Sequence, residues 1–176
     1  MIYEQNTKED AEAEFQRMWQ RALDYKDEPW ELDEGEKRVL CSEFFLDESY
    51  IREYKQYLMW GVLCQHQKMS TDFIIEMNQH GWIKWWNLAM NEKMELPEKL
   101  IEEHLSEMCR FNLVSWDIPI IDLFINKTFS KTFFMRNYCY ICWERVYSTL
   151  SMRSSMILDK YKDWLIELGI DQKYSK

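Results

Sequence analysis

A spaced box, apolar-x-x-x-(aromatic or Leu)-Ile, recurs four times in the chain: Leu46 with Tyr50-Ile51, Met69 with Phe73-Ile74, Leu96 with Leu100-Ile101, and Ile120 with Phe124-Ile125. The copies stand roughly two dozen residues apart, a period that marks repeated structural units. A unit this small cannot bury its own apolar face, so each copy has to be covered by its neighbours. A repeat array makes a surface. It does not by itself supply reaction chemistry, so the box constrains the kind of object more than the task it performs.

The residues after each box start have the chemistry of a helix N-terminus. Asp47, Ser70 and Pro97 come first, and Glu48, Thr71 and Glu98 follow. Short polar side chains cap the free amides there, and proline loses nothing at a position whose N–H has no helical partner. In the fourth copy Ile121 departs from this, although Asp122 keeps the acidic position. The helix bodies then begin with the aromatic-Ile pair. A second half of each unit centres on Trp60-Gly61-Val62-Leu63, Trp86-Asn87-Leu88 and Phe111-Asn112-Leu113-Val114. It reads as a second short helix, with a strand as the alternative because aromatic and β-branched side chains are frequent. Helices below ~12–15 residues are marginal alone in water, so packing between units has to stabilise them. Ile51, Ile74 and Ile101 are expected on that shared seam.

Only four Gly and three Pro punctuate the 176 residues, which disfavours the many tight turns of a β fold, while 47% hydrophobic residues suffice for a packed core. The expected architecture is all-α: short helix-turn-helix repeats stacked as a small solenoid with helical caps, in a single domain spanning residues 1–176. Residues 1–45 supply an N-terminal helix, an acidic loop and a short helix, residues 46–126 the repeats, and residues 127–176 a C-terminal helical cap. The first helix is expected over residues 8–25, with Thr7 at its start and Ala11, Phe15, Met18, Trp19, Ala22 and Leu23 on one face. Residues 24–36 hold seven carboxylates with Pro29 and Gly35 and read as an exposed acidic loop anchored by Trp30 and Leu32. A short helix over residues 36–45 buries Val39, Leu40 and Phe44. A longer helix is expected to begin after Ser130, and a last one over residues 155–168 carries Ile157, Tyr161, Trp164, Leu165 and Leu168 on one stripe, with Gly169 as a left-handed C-cap.

The segments LDESYIREY, MSTDFIIEM and ELPEKLIEEH, with the trailing WGVLCQHQKMS, resemble the short L-S-E-x-F-I-x-E-F repeats of uncharacterised proteins from large DNA viruses and bacteriophages. The resemblance covers about residues 46–126. It implies a viral or phage origin and carries no assigned activity. The uneven spacing, the weak fourth copy, the acidic N-terminal stretch and the basic-aromatic tail fall outside the pattern.

The chain offers few motifs for reaction chemistry. Cys139-x-x-Cys142 has redox or zinc spacing, but it falls in an aromatic helical stretch and has no second closely spaced ligand pair, so buried thiols are the expected reading. With Cys41, Cys64 and Cys109 the five cysteines suit a reducing compartment. The four glycines lie too far apart for a phosphate loop. Glu102 and Glu103 beside His104 point to different helix faces and read as solvated surface. No cofactor, no metal and no catalytic residues are assigned. No apolar window is long enough for a membrane span and no signal-peptide pattern opens the chain, so a location in the host-cell cytoplasm and no membrane partner are expected.

Charge is unevenly placed within the net −9: residues 1–126 are acidic and residues 127–176 basic. Two surfaces follow. Asp27, Glu28, Trp30, Glu31, Asp33 and Glu34 form a candidate face for a basic protein partner, imitating the charge of a nucleic acid. Residues 127–153 interleave Lys127, Lys131, Arg136, Arg145 and Arg153 with Phe129, Phe133, Phe134, Tyr138, Tyr140, Trp143 and Tyr147, the pattern by which cations meet phosphates and rings meet bases. The functional expectation is a non-enzymatic viral or phage protein–protein interaction module, an inhibitor or adaptor acting on a host or viral macromolecule. The alternative is a nucleic-acid-binding module using Lys131, Arg136, Tyr138 and Arg145.

Overall fold

The computed structural model describes residues 8–108, 118–141, 143–148 and 152–170, and all regular structure among them is helical. The elements are α1 (Lys8–Asp24), α2 (Glu34–Glu43), α3 (Glu48–Tyr54), α4 (Trp60–His66), α5 (Thr71–Gln79), α6 (Trp85–Ala89), α7 (Glu98–Met108), α8 (Ile118–Asn126), α9 (Lys131–Asn137), a 3₁₀ turn (Tyr138–Tyr140), α10 (Trp143–Ser148) and α11 (Met152–Glu167). The strand alternative for the second halves is not realised at Trp60 or Trp85, both of which open helices. Phe111 to Val114, like Thr7, lie outside the described residues. The chain divides into two compact units, residues 1–83 and 84–176.

In the first unit α1 packs on α2 and α2 on α4. Asp47 caps α3 by accepting from the Tyr50 amide, and Ser70 caps α5 by accepting from the Phe73 amide. The Ile51 and Ile74 amides close the first helical turns on the carbonyls of Asp47 and Ser70. Both isoleucines are fully buried, each contributing roughly 1.5–3 kcal/mol. The two short helices are also tied to each other. Glu48 accepts from the backbone amide of Ser70 at 2.6 Å, and the Arg52 guanidinium lies 2.9 Å from Glu76.

The second unit repeats these devices at matching positions. Ile101 closes the first turn of α7 on the Pro97 carbonyl, and Phe134 closes that of α9 on Ser130, whose hydroxyl accepts from the Phe133 amide. Glu98 accepts from both the amide and the hydroxyl of Ser130, as Glu48 does from the Ser70 amide. Glu102 and Arg136 face each other at 3.8 Å, in the positions of Arg52 and Glu76 with the charges exchanged. The fourth box is therefore Phe129-Ser130 with Phe133-Phe134. The expected copy at Ile120 lies inside α8 and starts no helix. It misled because α8 also carries an apolar-aromatic spacing, Leu123 and Phe124 being buried in the second-helix position.

The second helices have a signature of their own. Trp60, Trp85 and Trp143 each open one, each is buried, and each stands two residues after a buried Leu58, Ile83 or Ile141. The Trp60 indole donates to the Lys55 carbonyl at 2.8 Å and the Trp143 indole to that of Tyr138 at 2.9 Å. Placing the second unit on Trp86 was one residue off: Trp85 is the buried ring, and it stacks on His104 at 3.8 Å.

A buried polar side chain just ahead of a box reaches the chain ahead of the preceding box. Gln67, ahead of Met69, donates to the carbonyls of Cys41 and Phe44, both at 2.7 Å, and accepts from the Leu46 amide. Lys127, ahead of Phe129, donates to the carbonyls of Asn91 and Met94, which stand before Leu96 as Cys41 and Phe44 stand before Leu46. Lys160 of α11 closes the series, donating to the carbonyls of Phe124, Ile125 and Lys127. Helix C-termini leave carbonyls without intrahelical donors, and these side chains satisfy them.

Two other expectations need correction. The helix foreseen after Ser130 is broken into α9, the 3₁₀ turn and α10, because Asn137 turns its amide back onto the Phe133 carbonyl and the Trp143 indole takes that of Tyr138. Leu23 is half exposed rather than on the buried stripe of α1. The last helix follows its pattern: Ile157, Tyr161 and Leu165 are buried, and Gly169 has φ +67, a left-handed backbone that side chains with a Cβ rarely adopt.

Candidate partner-binding face

After α1 the chain makes two tight turns, with the Glu28 amide on the Tyr25 carbonyl and the Glu31 amide on that of Glu28, both at 2.9 Å. Carboxylates crowd this segment, and the fold spends them in two ways. Asp33 and Glu36 form a reciprocal capping box at 2.8 and 2.9 Å that begins α2 two residues earlier than the sequence pattern indicates. Glu36 is buried and lies 3.0 Å from Arg21 and 3.4 Å from Arg17 of α1, so its charge is compensated. Removing either arginine would strand part of that charge. The Met18 side chain packs directly on the Gly35 backbone, so that a Cβ there would sit 2.9 Å from its sulfur.

Asp27, Glu28, Glu31 and Glu34 are spent differently. All four are exposed, and among the described residues none has a cation within ion-pair distance. The segment is held from beneath by buried Leu32 and Pro29 and by the Tyr50 hydroxyl, which donates to the Lys26 carbonyl. Burial pushes the Tyr50 hydroxyl above its ordinary pKa, with Asp27 adding in the same direction. It therefore remains a donor.

Trp30 is not the buried anchor that the sequence led us to expect. It is 47% exposed, and its ring leans on Tyr57 (centroids 5.6 Å apart, planes at 60°) and on Tyr54 (6.2 Å, 43°). Tyr54 packs in turn on Tyr50 at 4.7 Å. Burial raises the Tyr54 hydroxyl pKa, and the charges of Glu53 and Asp27 raise it further. Sequence reasoning found Trp30 and its acidic neighbours but missed Tyr54, Tyr57 and Glu53. The signal was present in the i, i+3 spacing of Tyr54 and Tyr57 beyond the repeat box, but nothing in the linear order joins them to residue 30.

The basic-aromatic stretch is organised otherwise. Phe129, Phe133, Phe134 and Trp143 are buried, with Phe134 stacked on Tyr161 at 4.4 Å and Phe129 on Phe133 at the same distance. Lys131 pairs with Glu167 and Arg136 faces Glu102. Lys127 is buried on backbone carbonyls, and Tyr138 is half-buried. Tyr140 is exposed; the side chain of Arg145 lies outside the described residues. Cys139 is exposed on the 3₁₀ turn, contrary to the buried thiol expected there, and Cys142 lies outside the described residues. Among the described residues no three His, Cys, Asp or Glu side chains gather as a metal ion would require, and no helix is long and apolar enough to cross a membrane.

No protein-family model matches the chain, and neither curated proteins nor solved structures give a significant match.

Proposed function

We propose that the chain is a non-enzymatic protein–protein interaction module built from stacked helix-turn-helix repeats in the manner of a solenoid, and that residues 27–34 form its face for a basic partner. Equivalent caps, seam residues and helix-to-helix hydrogen bonds recur within each unit, which is how repeat proteins stabilise short helices while leaving outer positions free to vary. The observation that carries the partner assignment is the division of the acidic segment. Asp33 and Glu36 serve the fold, whereas Asp27, Glu28, Glu31 and Glu34 stand open without a counter-ion among the described residues. Like charges concentrated on one short segment cost self-repulsion that a cationic partner relieves, and they accelerate its association. A viral or phage inhibitor or adaptor acting on a host protein fits this face and the repeat resemblance. The nucleic-acid alternative draws less support, because most rings of the basic stretch are core and Lys131 and Arg136 already face carboxylates.

The test is charge reversal of Asp27, Glu28, Glu31 and Glu34 to lysine in the full chain. Asp33 is left intact because it caps α2. A partner captured by the wild type should be lost from the variant while the circular dichroism spectrum is retained. Its affinity for the wild type should also fall with added salt. Equal affinity of both proteins would remove the face from the proposal.

A further inference from the structure

The indole of Trp30 is open over nearly half its surface, whereas Trp60, Trp85 and Trp143 are buried. It is not a loose side chain. Tyr57 and Tyr54 meet it at inclined angles and brace it, and Tyr54 is itself packed against Tyr50. At centroid separations of 5.6 and 6.2 Å the indole touches both tyrosine rings, so no group fits between it and either of them. What they present is one supported indole.

The chain flanking this indole is acidic, and the cations that precede it, Arg21 and Lys26, lie over other rings. Asp27, Glu28 and Glu31 flank it in sequence, and Asp27 and Glu53 act electrostatically on Tyr54. Lys26 sits 5.5 Å over the Tyr50 ring. Arg21 covers Tyr25 at 4.8 Å. Among the described residues no cation is found over Trp30, Tyr54 or Tyr57, so the best π surface of the acidic segment is the one without a cation.

We propose that Trp30, braced by Tyr54 and Tyr57 and flanked in the chain by the exposed Asp27, Glu28 and Glu31, is the seat of an arginine side chain presented by a basic segment of a partner protein. A planar guanidinium stacks on an indole and still directs its N–H groups at carboxylates in the ring plane, which the compact, strongly hydrated ammonium of lysine cannot do. This inference rests on the acidic face being a binding face, and it adds the chemistry of the anchor.

The experiment uses the full chain and two short peptides, acetyl-Arg-Gly-Arg-Gly-Arg-amide and its lysine counterpart, titrated at low ionic strength while the Trp30 indole N–H resonance is followed. That resonance is assigned by its loss in Trp30→Phe. The arginine peptide should bind about 3- to 5-fold more tightly than the lysine peptide and shift the Trp30 signal. Trp30→Leu should erase the preference and leave a weaker, salt-sensitive attraction common to both peptides. Trp30→Phe should keep part of the preference. Equal binding of the two peptides with an unmoved Trp30 signal overturns the arginine seat; the acidic face survives that result if lysine at positions 27, 28 and 31 still weakens both peptides. No binding of either peptide overturns the face and the seat together. A Trp30 signal that moves with protein concentration alone, or with oligodeoxythymidylate rather than peptide, overturns the seat in favour of another occupant.

Discussion

Replacing Gln67 tests the polar link between successive boxes. Its side chain is 3% exposed and satisfies three backbone groups at once: the Cys41 and Phe44 carbonyls at 2.7 Å and the Leu46 amide at 3.2 Å. Leucine at this position has nearly the same volume and none of the partners. Each interior hydrogen bond contributes about 1 kcal/mol net, and each polar group left buried without a partner costs about 1–3 kcal/mol. Apolar burial of the leucine returns roughly 1–2 kcal/mol. With three groups stranded, Gln67→Leu should therefore destabilise by roughly 1–8 kcal/mol. Gln67→Glu should be worse, because a carboxylate would face two carbonyl oxygens and either repel them or be protonated. Gln67→Lys should cost less, about 1–3 kcal/mol, because only the Leu46 amide loses its partner. The reason is internal to the molecule: Lys127 already performs this task against Asn91 and Met94. Urea unfolding followed by circular dichroism gives the ranking, and hydrogen exchange at the Leu46 amide reports the site directly. A leucine variant as stable as the lysine variant would refute the reasoning.

Burial holds the Cys41 thiol up at about 11, and Cys64 is buried too, whereas Cys139 lies open on its turn. Iodoacetamide at pH 8 should therefore modify Cys139 and spare Cys41 and Cys64 until urea is added, as peptide mass mapping will show; native labelling of Cys41 at the rate of Cys139 would contradict the packing of α2. The Ser49 hydroxyl and the Tyr50 amide hold the Asp47 carboxyl below the usual carboxylate range, and Arg52 does the same for Glu76. Depressed folded values mean that their stabilisation is present above the unfolded pKa and lost as the pH falls through the folded one. The urea midpoint should fall as the pH drops below about 4.5, with a shallower slope in Asp47→Asn.

The sequence by itself determined the helical class, the first three boxes, the burial of Ile51, Ile74 and Ile101, the last helix and its left-handed Gly169 cap. Each of these is a local matter of spacing and capping, in which residues three or four apart act together. The fourth box was not legible, because Phe129-Ser130-Lys131-Thr132-Phe133-Phe134 lacks the isoleucine while Ile120 to Ile125 imitates the pattern. Only hydrogen bonds spanning the chain distinguish them: Glu98 holds Ser130 as Glu48 holds Ser70, and Lys160 closes on Phe124 and Lys127. The acidic segment was legible as charge, but tertiary structure decided which carboxylates it consumes. Packing α1 against α2 brings Arg17 and Arg21 to Glu36 and leaves Asp27, Glu28, Glu31 and Glu34 in water. The same packing leaves Trp30 leaning on two tyrosines far along the chain, and side-chain proximity of that kind has no period for a sequence to display.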